Sequence, residues 1–277
     1  MMLRDGFNQF KNALSDLFFP PVCGFCQAVS VESGAPLCEN CRDSIEEISG
    51  PICTQCGLPI PGLSPLTPAG TCGRCLADPP KYKRARYGVY YQGTVRDALL
   101  RLKFAGALHT ASALSLILTE AFRRHFETGE FDLIVPVPIH STRLIHRGFN
   151  QVVELGKRLS HDTGIALDRT SFQKVKDTAP QVGLTKAARI KNLRGSFGVK
   201  RPDLIRGRNI LLVDDVTTTG STIAEASKTI MRAGASRVDV LVLSVRMEVS
   251  TRLERDTTLT APEHPISNGM LPAKQKQ

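Results

Sequence analysis

The sequence predicts an α/β protein: a domain built on a parallel sheet, preceded by a small cysteine-rich module that metal would order. Three observations carry this expectation. Residues 132–138 (DLIVPVP), 210–213 (ILLV) and 238–245 (VDVLVLSV) are short apolar runs, the pattern of strands covered on both faces. Before and between them, apolar residues recur at helical spacing over 109–126, 149–160 and 223–231. All eight cysteines fall in four CxxC pairs before residue 76.

The chain opens with Leu3, Phe7, Phe10, Leu14, Leu17 and Phe18 at spacings of three and four, an amphipathic helix over 1–20 that Pro20-Pro21 stops. Its polar face offers only Arg4 and Lys11 to lipid headgroups, so packing on the rest of the protein is expected. Residues 21–80 then carry the cysteines. Tetrahedral Zn²⁺ takes four thiolates, and paired knuckles deliver them. Two structural Zn²⁺ sites account for every cysteine: Cys23, Cys26, Cys38 and Cys41 in one, Cys53, Cys56, Cys72 and Cys75 in the other. Spacing alone also allows a cross-braced pairing. With four protein ligands, neither site leaves a position for substrate.

Thioredoxin-like chemistry needs a single reactive pair in a βαβ setting, and disulfides fit poorly with a chain that shows no secretion signal. No apolar run approaches a membrane span, so the expected compartment is the cytoplasm. Aromatics make up 6% of the chain and Trp is absent, which is thin for a platform that stacks single-stranded bases. The net charge of +10 is unevenly spread: residues 1–80 hold 4 Lys/Arg against 8 Asp/Glu, residues 141–201 hold 13 against 4. A pyrophosphate-bearing substrate suits such a basic half, and so does nucleic acid.

The second domain is expected over 81–249, starting after Pro79-Pro80. Tyr87–Tyr91 reads as a strand, Thr94 as the cap of a helix running to Lys103, and Gly106 as that helix's end. Pro136 and Pro138 stop the 132–138 strand. The stretch after it is dense in donors, with Arg143, Arg147, Asn150 and Gln151. At the carboxyl edge of the sheet, Arg143 and Arg147 are suited to a pyrophosphate. Residues 171–176 read as a strand. Residues 177–194 read as a flap with a short basic helix capped by Thr185, its working residues being Gln181, Arg189, Asn192 and Arg194. A strand over 195–199 and a polar, disordered tail over 250–277 complete the chain.

Everything converges on residues 210–222 (ILLVDDVTTTGST). A buried strand ends in Asp214 and Asp215, and Thr217, Thr218, Thr219, Gly220 and Ser221 lead into a helix. A helix N-terminus offers unpaired N–H groups and a positive dipole end to a phosphate. The acid pair repels phosphate and suits sugar hydroxyls. The stretch reads as a cradle for a ribose 5-phosphate.

This signature resembles that of type I phosphoribosyltransferases, which hold phosphoribosyl pyrophosphate. Further segments in order, CxxC knuckles, CGRCL before PP, LKFAG, DLIVPVPIH, RGFNQ, DTAPQ and VDDVTTTGST, are similar to the ComF family with its GntX-type members. The resemblance spans residues 18–245. It implies a double zinc ribbon joined to a type I phosphoribosyltransferase domain, with Asp214 and Asp215 on the ribose hydroxyls, residues 217–221 on the 5-phosphate and Arg143 in the pyrophosphate loop. It implies Mg²⁺ with the substrate, and an association with natural competence and DNA uptake. Two functions follow as expectations. One is a pentosyltransferase with Asp214, Asp215 and Arg189 in its machinery and an unknown acceptor. The other is a non-catalytic sensor or coupling protein, partnered by single-stranded DNA or a competence translocation motor.

Overall fold

A computed structural model describes residues 22–29, 35–60, 70–178 and 186–247, without the side chains of residues 186, 187, 189 and 190. The expected N-terminal helix, the Thr185 cap, Gln181, the Arg189 side chain and the tail lie outside them. The described residues belong to one compact unit.

The helices α1 (Glu39–Asp43) and α2 (Gly73–Ala77) each follow a cysteine and carry another inside. The larger domain then runs β1 (Ala85–Tyr90), α3 (Gly93–Ala105), α4 (Leu108–His125), β2 (Leu133–Pro136), α5 (Ser141–Arg147), α6 (Gln151–Thr163), β3 (Phe172–Lys174), α7 (Lys186–Leu193), β4 (Phe197–Val199), β5 (Asn209–Thr217), α8 (Ser221–Arg232) and β6 (Arg237–Val245). Four strands make one parallel sheet in the order β1-β6-β5-β2. The last strand in sequence is therefore central, which explains its unbroken apolar run.

Alternation along the strands divides the core into two layers. Leu211, Val213, Leu241 and Leu243 pack toward α3, α4 and α6 through Leu99, Leu114 and Leu155. Ile210, Leu212, Val240 and Val242 pack on the other face with Ile223 and Ile230 of α8, and with Phe172 and Phe197 of the β3–β4 hairpin.

Two local expectations need correction, and one helix is added to them. Gln92, not Thr94, is the N-cap of α3, and the Thr94 hydroxyl meets that of Ser44 at 3.0 Å. Residues 141–147 are helical, capped by the His140 ring, which accepts the Thr142 N–H. β5 does not end at Asp214 but continues through the acid pair to Thr217.

The cysteine modules are joined to the domain by specific contacts. The Ala85 N–H donates to the Gln55 carbonyl at 2.7 Å, and Arg86 Nη1 to the Thr54 carbonyl at 3.1 Å. Gly57 lies so close that a Cβ would sit 2.1 Å from the Ala85 carbonyl oxygen. The first module packs on α3 and α4: Arg101 donates to the Phe25 carbonyl, and Gly24 faces Ala113. Cys23, Phe25 and Leu37 are continuous with the core on that side.

Candidate functional site

The eight cysteines gather into two quartets in chain order, Cys23, Cys26, Cys38 and Cys41, and Cys53, Cys56, Cys72 and Cys75, with all sulfurs of a quartet within 4.8 Å of one another. The cross-braced pairing is thereby excluded. Cys26 Sγ lies 3.7 Å from Cys38 Sγ, and Cys56 Sγ 3.7 Å from Cys72 Sγ. A tetrahedron of Zn–S bonds near 2.3 Å has edges of about 3.8 Å, so the quartets fit zinc. Each innermost sulfur accepts backbone N–H groups: Cys23 from Phe25 and Cys38, Cys53 from Cys56 and Cys72, at 3.3–3.4 Å. Such bonds favour the thiolate a metal requires.

The second site stands at the carboxyl edge of the sheet. β2 and β5 are neighbours. From β2 the chain moves outward to an edge bridge between Ile134 and Leu167, whereas from β5 it moves the opposite way to β6. The crevice between β2 and β5 is a topological switch point, the place where open α/β sheets take ligands.

Asp214 and Asp215 lie at this edge, 7% and 4% exposed. Asp215 Oδ2 accepts from Lys103 Nζ at 2.8 Å and from Gln151 Nε2 at 2.7 Å. Gln151 in turn accepts from Arg147, whose guanidinium lies over the Phe104 ring at 5.7 Å. Among the described residues, the Asp215 backbone N–H, at 2.9 Å, is the hydrogen-bond donor to the Asp214 carboxylate. Burial, reinforced by the neighbouring Asp215, pushes its carboxyl up to about 8. Burial and the charge of Arg143 lower Lys174, and burial lowers Arg147, each opposed by an acidic neighbour: Asp177 and Asp214 for Lys174, Asp215 for Arg147. Two acids and at least three cations thus sense one another at one crevice.

Beyond β5, the chain turns at Gly220, whose φ of +77° places it in the left-handed region, and enters α8. Thr219 and Ser221 hydroxyls meet at 2.8 Å above the helix start. The twelve-residue α8 has no side-chain cap, so its first N–H groups face the loop. The arrangement suits an anionic group on the loop and hydroxyl-bearing carbon beside the acids.

Arg147 therefore joins the acid pair through Gln151. Arg143 instead donates to the Thr178 carbonyl at 3.0 Å. Thr142 and His140 also face Asp177, the hydroxyl at 2.8 Å and the ring at 3.6 Å. Lys103 and Lys174 are the residues sequence reasoning missed. In LKFAG, a lysine near a helix C-terminus looks the same whether it serves the dipole or a carboxylate across the sheet.

Comparison with known proteins agrees with this geometry. Residues 14–76 match the family model of the double zinc ribbon domain. The DNA utilization protein YhgH of Salmonella typhimurium is 37% identical over 185 residues, covering 66% of this chain and 81% of that protein. Competence protein F of Haemophilus influenzae is 31% identical over 173 residues, covering 61% and 76%. Among solved structures, an adenine phosphoribosyltransferase from Thermoanaerobacter pseudethanolicus matches with a TM-score of 0.33 and 17% identity over 55% of this chain and 84% of that one. A likeness that low carries no weight for ligand or activity; the reading of the site rests on its own residues.

Proposed function

From the premise that the chain belongs to the ComF/GntX family, a double zinc ribbon joined to a type I phosphoribosyltransferase domain, we propose that it binds phosphoribosyl pyrophosphate with Mg²⁺ and serves DNA uptake or utilisation. The observation that carries this is the juxtaposition, on one strand-to-helix turn, of a buried acid pair and an uncapped helix start.

In this reading the ribose 2- and 3-hydroxyls donate to Asp214 and Asp215, and the 5-phosphate accepts from the amides and hydroxyls of residues 217–221. The pyrophosphate lies toward Lys103, Arg147, Lys174 and Arg143. Carboxylate and phosphate oxygens are the hard donors Mg²⁺ requires, and the metal would neutralise charge on the pyrophosphate. Lys103 holds Asp215 in place before ligand arrives, so the site is preorganised. The chemistry such an arrangement serves is transfer of the ribosyl carbon from pyrophosphate to a nucleophile, with cations stabilising the departing diphosphate. Arg189 belongs to the flap that would exclude water from that step.

The names of the relatives tie the family to DNA utilization and competence. Phosphates of a strand would meet the basic 141–201 stretch rather than the acidic ribbon module.

Calorimetry with phosphoribosyl pyrophosphate and Mg²⁺ tests the reading. We expect binding by the full chain and a loss of at least about tenfold in Asp214→Asn/Asp215→Asn, since a charge-assisted bond is worth about 1.5–3 kcal/mol. Equal heats for both proteins, or none for either, contradict it. Pyrophosphate release on adding a base or amine reports transfer.

A further inference from the structure

The phosphate loop has a second side. Residues 217–221 also line a cavity of about 420 Å³ whose opposite wall is the second cysteine module, including Cys56 and Cys75, with Tyr82 just after it. Asp214 and Asp215 do not line it, so it opens away from the sugar seat. A terminal 5-phosphate ends on the loop and has no use for this space, yet the volume lies within the range of small-molecule sites, about 300–1,000 Å³.

The walls have a mixed character. Leu58, Pro80 and Leu193 supply apolar surface, and buried Tyr82 and Tyr87 supply ring surface. Lys81 and Lys228 also line it, and neither makes an ion pair among the described residues. Of the wall carboxylates, Glu225 is engaged by the Gly195 N–H at 2.8 Å, and Asp78 offers an acceptor. Flat rings, a hydrogen-bond acceptor and unpaired cations contiguous with a phosphate seat match one ligand class: a nucleoside joined through that phosphate.

We propose that the phosphate seat accepts a phosphodiester, the sugar on the acid pair being linked through its 5-oxygen to a second nucleoside lodged between the second ribbon and α8. This rests on the proposed sugar and phosphate seats and extends them. It converts a site for a terminal phosphate into one that reads the 3′-terminal ribonucleotide of a strand, and it gives the second ribbon a role as a wall of the binding site. A phosphodiester carries one negative charge where a terminal phosphate carries up to two. Without contacts in the cavity, the diester would therefore bind more weakly than the monoester.

The test compares uridine 5′-monophosphate with the dinucleotide UpU, whose 3′-terminal ribose keeps both hydroxyls, by titration of the zinc-loaded full chain. We expect UpU to bind about tenfold more tightly, a difference of about 1.4 kcal/mol. Ala77→Trp narrows the cavity from the ribbon side, and Lys228→Ala removes one unpaired cation. Each should erase the advantage of UpU while uridine 5′-monophosphate binding is unchanged. UpU binding more weakly than the monophosphate in the native chain, or keeping its advantage in both variants, overturns the proposal. If the monophosphate and phosphoribosyl pyrophosphate both fail to bind, the sugar and phosphate seats fall as well. If they bind while UpU does not, only the diester site falls.

Discussion

Gly57→Ala measures how tightly the second ribbon is held against the sheet. Gly57 has φ +69°, and an added Cβ would meet the Ala85 carbonyl oxygen at 2.1 Å and its carbon at 3.0 Å. The left-handed backbone alone costs an alanine about 1–2 kcal/mol. The contact cannot be relieved by a side-chain rotation, because the obstructing atom is backbone of β1. Moving it by about 1 Å strains packing by about 1–3 kcal/mol and threatens the 2.7 Å bond from the Ala85 N–H to Gln55, worth about 1 kcal/mol.

The total is about 3–6 kcal/mol, or about 6–24 °C in Tm for a chain of this size. Gly50→Ala is the control: φ is +80°, but nothing lies within 4 Å. It should show the backbone cost alone, about 1–2 kcal/mol. Thermal unfolding of the zinc-loaded proteins, with zinc release followed by a chromogenic chelator, reads both. Gly57→Ala should also release one of two zinc equivalents early. If the two variants melt together, the ribbon does not press on β1 and the docking account is wrong.

Two further predictions concern the crevice. Lys103→Met leaves Asp215 buried without its cation and should destabilise the chain by about 3 kcal/mol in urea unfolding, because both partners are largely covered, 19% and 6% exposed. A loss below about 1 kcal/mol would mean the pair is solvated in solution. Asp214 titrates near 8 when folded against about 4 when unfolded, so the folded chain binds its proton more tightly. Its contribution is fully present below about pH 4 and is lost as pH rises toward 8. Asp214→Asn should therefore melt higher than the native chain at pH 8, with the gap closing toward pH 5. A pH-independent gap would contradict the burial that raises this group.

Much of this was legible in the chain because spacing carries it. Four CxxC pairs supply thiolates for two metal sites, though not which pairs share one, and the ILLV run preceding two acids, hydroxyls and glycine defines a strand, a loop and a helix. Failures came where a side chain's partner is distant in sequence. β5 was expected to stop at Asp214, since a carboxylate usually marks water. It continues because Lys103 and Gln151, from two other elements, cover Asp215. Lys174 shows the same gap: on a three-residue strand its alternation is too short to assign a face. The 141–147 helix was hidden by its polar residues, none of them buried, so no apolar face announces it. The ribbon's closeness to the 217–221 loop had no signal in the order of residues.

The most direct measurement is a crystal structure of the zinc-loaded chain grown with phosphoribosyl pyrophosphate and Mg²⁺. The account predicts density for the 5-phosphate on the amides of residues 217–221, with the ribose hydroxyls on Asp214 and Asp215 and the diphosphate toward Lys103 and Arg147. Density at another place, or a crevice in which Lys103 still closes on Asp215 at saturating ligand with no sugar beside it, would contradict the account.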